Sequence, residues 1–219
     1  GKTSIQRQLN QLLRQIRHPE LIYLPIFVDM QHLGIQDEDR FFHFLAQHLF
    51  DECKRLGVPE AALGAMAYAQ CKNVADYDSQ PFSSDIEAAL RELNKVYAPL
   101  RPILVFQIDE IALLREFHPD TKLGLRAAFV NQQQARVILS GPYIPKLPAV
   151  DTMSPWWNFF REIEVLPLTP SEAKRLIIEP VRGLFKFDAE VIEEIIARAE
   201  GRPLKVQTLC AEILRQRYQ

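Results

Sequence analysis

Residues 103–110 read ILVFQIDE, and they are the clearest sequence evidence for the fold class. The run from Pro102 to Ile108 is apolar and short, which is typical of a strand buried on both faces of a parallel sheet. It ends in two adjacent carboxylates, Asp109 and Glu110. Such a pair can hold a metal ion through water and activate a water molecule. The residues alone leave a second interpretation open, in which Asp109 caps the next turn and Glu110 is solvated.

Outward from this strand, hydrophobic periodicity predicts alternating strands and helices. Further strands are predicted at 21–30, 136–140 and 163–166, and helices at 3–17, from the cap at 37 to about 57, 84–97 and 119–129. Asp37 is predicted to cap the second helix, and the capping box at 84–87 to open the third. Residues 58–82 are predicted to form a short helix and an irregular insert.

After residue 167 the sequence predicts helices only. They are opened by a capping box at 169–172, by Asp188 and by Pro203. Strands and helices that alternate indicate a parallel sheet with helices around it, so we expect an α/β domain over 1–167 and an α-helical lid over 168–219.

Composition excludes several classes of protein. Hydrophobic residues make up 47% and charged residues 25%, which excludes disorder, collagen and coiled coil as the main state. The 26 basic and 28 acidic residues give a net charge of −2, which offers no electrostatic argument for nucleic acid or anionic membrane. No apolar run is long enough to cross a bilayer. Three widely spaced cysteines indicate a reducing compartment, and we expect a cytoplasmic location.

The chain opens with Gly1, Lys2, Thr3 and Ser4, directly before an amphipathic helix. These match the last residues of the phosphate-binding pattern G-x-x-x-x-G-K-[ST]. In that pattern the glycine lets the backbone approach phosphate, the lysine reaches the β- and γ-phosphates, and the Thr hydroxyl ligates Mg²⁺. The alternative is a chance match at the start of an ordinary helix.

Two other positions carry polar groups at element ends. Ser140 ends the short strand predicted at 136–140 and precedes Gly141-Pro142, where its hydroxyl could sense a γ-phosphate or simply cap a turn. Gly201-Arg202-Pro203 joins two predicted helices, and a helix-ending glycine with a proline at the first helical position explains two of the three residues. Arg202 is left over, and an arginine there could reach phosphate.

Together, residues 1–4, 103–110, 137–141, 155–180 and 201–210 resemble the STAND ATPases, the AAA+-related signal-transduction ATPases with numerous domains. The resemblance covers nearly the whole chain except residues 57–82. At 201–203 the chain has Gly-Arg-Pro where the family often has Gly-His-Pro, and Gln207 follows as in the family.

The resemblance implies a P-loop NTPase parallel sheet of the AAA+ kind, with ATP and Mg²⁺ as cofactors. Nucleotide contacts would come from the opening residues Gly1, Lys2, Thr3 and Ser4 and from Arg202 and Pro203 in the lid. Thr3 and Asp109 would serve the magnesium. Glu110 would be the catalytic base and Ser140 the first sensor, while Asp29 is predicted mostly to cap a turn.

The family's sheet order is 5-1-4-3-2, and its first strand precedes the phosphate loop. This chain starts after that strand, so the resemblance predicts a fragment of a longer polypeptide. A parallel sheet without its central strand would leave backbone groups unpaired, at about 1–3 kcal/mol for each buried group.

The leading functional hypothesis is a molecular switch that binds ATP, hydrolyses it slowly and gates self-assembly or an attached sensor or effector domain, as in prokaryotic signalling or defence. One alternative is a DNA-associated AAA+ ATPase of the origin-recognition or transposition-regulator type. Arg215 and Arg217 favour it slightly, and the net charge of −2 opposes it. The other is a non-catalytic interaction module with a degenerate nucleotide site. No membrane partner is expected.

Overall fold

The structure, a computed structural model, describes residues 2–33, 35–130, 132–141, 159–161 and 163–217. For a few of these only the backbone is described, namely Lys2, His32, Ile35, Gln36, Leu113, Arg115 and Arg217. The chain divides into two compact units, Lys2–Arg161 and Glu162–Gln219. The sequence placed its boundary six residues later, after residue 167.

In the described part of the first unit, three parallel strands form a sheet. They are β1 (Leu21–Asp29), β2 (Arg101–Asp109) and β3 (Ala135–Leu139), in the order β1-β2-β3. The predicted α/β class with a parallel sheet is therefore confirmed. β2 lies in the middle and is buried from its second residue to its last, because its apolar run can pack on both faces.

Helices cover both faces of the sheet. In the first unit they are α1 (Lys2–Gln15), α2 (Phe41–Arg55), α3 (Glu60–Gly64), α4 (Ala67–Gln70), α5 (Ser79–Val96) and α6 (Pro119–Val130). Successive side chains of a strand point to opposite faces. Leu104, Phe106 and Ile108 of β2 join the main hydrophobic core, which α2, α5 and α6 complete. Gln107, with the opposite orientation, meets α1.

The expectation that Asp37 caps the second helix was wrong. Residues Ile35–Arg40 form 3₁₀ turns with a kink at Asp37, whose own backbone is not helical, and α2 starts only at Phe41. The N-cap residue is Arg40, and no side chain caps this end. A helical turn already precedes α2, so a capping side chain further upstream cannot reach its first N–H groups.

The capping box at 84–87 was also a wrong prediction, and Asp85 has a different role. α5 begins five residues earlier, with Asp78 as the N-cap whose carboxylate accepts from Gln80 N at 2.8 Å. Asp85 is only 1% exposed in the middle of this helix. It accepts from Ala67 N at 2.6 Å and Tyr68 N at 2.8 Å, so it caps the short helix α4 instead.

A third hydrogen bond completes the surroundings of Asp85. The Tyr77 hydroxyl donates to its carboxylate at 2.6 Å. Burial and this hydrogen bond raise the pKa of Tyr77 far above its usual value. Residues 58–82 hold two short helices and a 3₁₀ turn, close to the predicted short helix and irregular insert, and Asp85 ties this insert to α5.

The strand predicted at 163–166 does not form. These residues have no regular structure, and Ile163 is 80% and Leu166 70% exposed. A strand needs a neighbour to accept its backbone hydrogen bonds. Within the described part of the second unit there is no strand to supply one.

The described residues of the second unit form three α-helices and a short 3₁₀ turn at Glu179–Val181, with a small hydrophobic core of their own. The α-helices are α7 (Pro170–Ile178), α8 (Ala189–Ala199) and α9 (Pro203–Arg217). The capping box of Thr169 and Glu172 is confirmed, and Asp188 holds the N-cap position of α8 without a capping hydrogen bond from its side chain. Gly201 has φ +69°, and a Cβ there would lie 2.6 Å from Leu168 O, so only glycine fits. Within the residues described, no helix is long and apolar enough to cross a membrane.

Removing the Asp85 carboxylate should destabilise the first unit strongly. We expect Asp85→Ala to lower the free energy of unfolding by about 3 kcal/mol or more, because two N–H groups and a buried hydroxyl lose their acceptor. Asp85→Asn keeps one acceptor oxygen and should cost clearly less. Urea denaturation measures both, with Asp78→Ala as the control at about 1 kcal/mol. Equal unfolding midpoints for Asp85→Ala and the parent would contradict this role.

Candidate functional site

The carboxyl ends of β2 and β3 bring Asp109 and Ser140 together. The parallel ladder pairs Ile108 with Leu139, and Ser140 N donates to Ile108 O at 2.9 Å, one step beyond the strand. Ser140 O in turn accepts from Ile111 N at 3.1 Å. Held at both backbone groups, Ser140 donates its hydroxyl proton to Asp109 Oδ1. Two residues 31 apart in sequence thus form one polar pair.

Asp109 keeps one carboxylate oxygen without a hydrogen-bond partner. Its side chain is 1% exposed, and Oδ2 has no donor within the described structure. A buried acceptor left unpaired costs about 1–3 kcal/mol. Buried polar groups are normally paired, so an exception calls for a reason, and an ion or ordered water bound in the functional state is one such reason.

Asp29 lies beside Asp109 on the neighbouring strand. The two residues are direct partners in the parallel register of β1 and β2. Adjacent strands lie about 4.8 Å apart, so two acids end at the same edge of the sheet. Asp29 accepts from Gln31 N at 3.0 Å, which is the capping role that the sequence predicted.

Glu110 has a strained backbone. Its φ is +58°, in the left-handed region that side chains other than glycine rarely adopt, and its side chain is half-buried. This conformation costs about 1–2 kcal/mol for a residue with a Cβ. Such strain concentrates at functional sites, where it orients a side chain that an ordinary turn would direct elsewhere.

The first turn of α1 lies at this same edge of the sheet. Gln107 Nε2 donates to Gln6 O at 3.1 Å, and Gln107 stands two residues before Asp109. Further along the helix, Arg14 Nη2 donates to Pro25 O at 3.0 Å, near the middle of β1. α1 therefore runs antiparallel to the strands. From Gln6 to Lys2 the helix rises about 6 Å, close to the span of two strand residues, so its N-terminus reaches the level of Asp109.

The remaining predicted site residues differ in how much of them the structure describes and in where they lie. Gly1 and the Lys2 side chain lie outside the described residues. Thr3 is half-buried and Ser4 exposed in the first turn of α1. Arg202 and Pro203 belong to the second unit, where Pro203 opens α9 and the Arg202 side chain is 73% exposed, with Nη2 3.9 Å from Glu200 Oε2. Their nucleotide contacts stay predictions.

Sequence reasoning missed one buried polar residue of this region. Gln107 lies in a strand that the sequence predicts to be apolar, yet its amide is fully buried and hydrogen-bonded to α1. The available signal was a single amide between Phe106 and Ile108, in a strand whose other interior residues are all apolar.

The described residues contain no group of three or more His, Cys, Asp or Glu side chains that could hold a metal ion by themselves. A nucleotide-bound Mg²⁺ would need only one or two carboxylates, with waters and the phosphates as its other ligands. Searches among protein-family models, curated proteins and solved structures find no match to the chain.

Glycine at position 110 should relieve the strain. We expect Glu110→Gly to raise the free energy of unfolding by about 1 kcal/mol, because glycine adopts φ +58° without a steric cost. The control is Glu116→Gly, an exposed position without positive φ, which should be neutral or slightly destabilising. Thermal or urea unfolding compares the two. A destabilised Glu110→Gly variant would show that position 110 is not strained.

Proposed function

We propose that this chain carries the core of a P-loop ATPase of the STAND type, which binds ATP with Mg²⁺ and acts as a switch. The observation that supports it best is the buried Asp109 with its unpartnered Oδ2, at the sheet edge that the N-terminus of α1 also reaches. A metal-binding carboxylate, a strand-end hydroxyl and a helix N-terminus that attracts phosphate are the parts that nucleotide binding requires.

The order of the strands supports the same proposal. β1, β2 and β3 lie in the order expected for the second, third and fourth strands of a 5-1-4-3-2 sheet. On β3, Gln134 O and Ser140 N bond to β2, so the alternating backbone groups of Val137 and Leu139 point the other way. Within the described structure nothing pairs with them, and the first strand of a P-loop sheet would lie there.

Each residue of the site has a defined task in this proposal. Ser140 occupies Asp109 Oδ1 and so directs Oδ2 toward the magnesium or its water. Magnesium, when bound, neutralises charge on the phosphates. Glu110 orients the attacking water and accepts its proton, and Lys2 and Thr3 hold the phosphates and the metal at the start of α1.

At the level of the whole molecule, the nucleotide state would set the conformation of the protein and gate self-association or an attached sensor or effector domain. Nucleotide contacts by Arg202 and Pro203 are part of the same proposal. We propose slow hydrolysis as the step that resets the switch.

ATP affinity tests the phosphate contact. We expect Lys2→Ala to weaken ATP binding in the presence of Mg²⁺ by about 10- to 100-fold, the value of one charge-assisted hydrogen bond to phosphate. Isothermal titration calorimetry measures it, and Lys72→Ala, an exposed lysine of the insert, is the control. If both variants bind ATP like the parent, Lys2 has no phosphate contact and the proposal fails.

Asp109 should show a conflict between stability and function. Asp109→Asn removes a buried charge with an unpaired oxygen, so without Mg²⁺ we expect the variant to be at least as stable as the parent. Its ATP affinity should no longer increase when Mg²⁺ is added. Asp120→Asn is the control, since the Asp120 side chain is 84% exposed.

These measurements also separate the alternatives. A parent protein that binds ATP equally well with and without Mg²⁺ would contradict the assignment of Asp109. A parent that binds no ATP would favour the non-catalytic interaction module.

A further inference from the structure

The amide of Gln107 is fully used inside the protein. Its Nε2 donates to Gln6 Oε1 at 3.0 Å and to Gln6 O at 3.1 Å, and its Oε1 accepts from Asn10 Nδ2 at 2.8 Å. Gln107 is 0% and Gln6 3% exposed. A complete hydrogen-bond set in a buried place allows one relative position of α1 and β2, since a shift along the helix leaves these groups unpaired.

The same polar network continues from Asn10 to β1, the outer strand of the described sheet, and to α2. Arg14 Nε donates to Asn10 Oδ1 at 3.0 Å, and Arg14 Nη2 to Pro25 O at 3.0 Å. Arg14 also pairs with Glu52 of α2 at 3.0 Å. Although burial acts in the opposite direction, hydrogen bonds from Arg55 and Arg14 hold the pKa of Glu52 below its usual value. α1 is thus attached at two heights, near its N-terminus and near its C-terminus.

Apolar packing alone does not account for this position. Ile5 and Leu12 of α1 and Ile16, which follows it, are 46%, 56% and 45% exposed, and Leu9 and Leu13 are only partly buried, while Gln6 is buried. Hydrophobic burial alone would rotate the apolar side of the helix onto the sheet. The observed orientation turns Gln6 inward, where it satisfies Gln107.

We infer that Gln107, with Gln6 and Asn10, is a positioning element that sets how far the N-terminus of α1 extends toward Asp109. The contribution of this element to nucleotide binding rests on the proposed function, whereas its effect on the position of α1 does not. Gln6 is four positions after Lys2 on the helix, and Gln107 is two positions before Asp109 on the strand. A slide of α1 by one residue, about 1.5 Å, displaces every group of its first turn relative to the Asp109–Ser140 pair.

The test replaces the buried amides by apolar side chains of similar size, in Gln6→Leu/Gln107→Leu. The two buried amides are removed together, and Asn10, which is only partly buried, keeps its hydrogen bond from Arg14, so the urea midpoint should stay close to that of the parent. The control is Asn94→Leu/Gln134→Leu. It removes another amide pair, with Gln134 Nε2 3.2 Å from Asn94 Oδ1, near the N-terminal end of β2.

The first readout needs no nucleotide. Nitroxide labels on cysteines placed at the exposed positions Gln8 of α1 and Asp120 of α6 report the helix position by pulsed electron paramagnetic resonance. Cys71 and Cys210 are replaced by serine, whereas Cys53 is 1% exposed and burial raises the pKa of its thiol to about 12, so it stays unlabelled. We expect one narrow distance distribution for the parent and the control, and a broadened or shifted one for the Gln6/Gln107 variant.

The second readout is ATP affinity with Mg²⁺, which should fall about tenfold or more in the Gln6/Gln107 variant and stay unchanged in the control. Unchanged distances in the Gln6/Gln107 variant overturn the inference, whatever the affinity. If the parent binds no ATP, the proposed function fails and the distances alone decide. Should circular dichroism show that the leucine variant does not fold, Gln6→Met/Gln107→Met gives the same comparison with more flexible side chains.

Discussion

The parallel pairing of β2 with both of its neighbours is the constraint on which the candidate site depends. One register places Asp29 beside Asp109, and the other carries Ser140 to the same end. Because side chains alternate along a strand, a slip of one residue would send Asp109 into the face that Leu104, Phe106 and Ile108 fill. The apolar residues that bury β2 therefore also fix the direction of its terminal carboxylate.

The carboxyl end of β2 has two features that lower the free energy of unfolding and that an ordinary strand end avoids. Asp109 is buried with an unpaired oxygen, and Glu110 follows with a left-handed backbone. Each feature costs about 1–3 kcal/mol, and a sequence selected only for folding would have a polar turn with glycine at position 110. Two costs at consecutive residues, at the end of the most buried strand, are the physical case for a ligand at this place.

Much of the fold was predictable because its signals are local. The continuous apolar run of β2, the proline that opens α6 and the Thr169 capping box each predict an element from neighbouring residues. The failures depend on partners distant in sequence. Asp85 lies in a pattern that fits a helix start, but its carboxylate oxygens accept hydrogen bonds from the N–H groups of α4, eighteen residues away. Residues 163–166 have the composition of a strand and no described neighbour to pair with.

The candidate site divides along the same line. Asp109, Glu110 and Ser140 were found from strand-end chemistry, since parallel strands bring their carboxyl ends to one edge. Their detailed geometry was not predictable, because the Asp109–Ser140 bond depends on the register of two strands and the φ of Glu110 on the turn after them. The role of Gln107 was not predictable, because a single amide within an apolar run does not reveal its hydrogen-bond partner Gln6, 101 residues away.

α1 shows why periodicity predicts a helix more reliably than it predicts the face that packs. The spacing of Ile5, Leu9, Leu12, Leu13 and Ile16 is helical, yet three of these side chains remain about half exposed. Leaving part of an apolar side chain in water costs about 25 cal/mol per Å², or about 1 kcal/mol for half of a leucine. A buried Gln107 with neither donor nor acceptor satisfied costs about 1–3 kcal/mol for each group. The polar requirement of one residue on β2 is therefore comparable to the hydrophobic preference of several on α1, and it has the directionality that hydrophobic contact lacks. That directionality is what a helix needs if its first turn must stand at a fixed distance from a carboxylate on another strand.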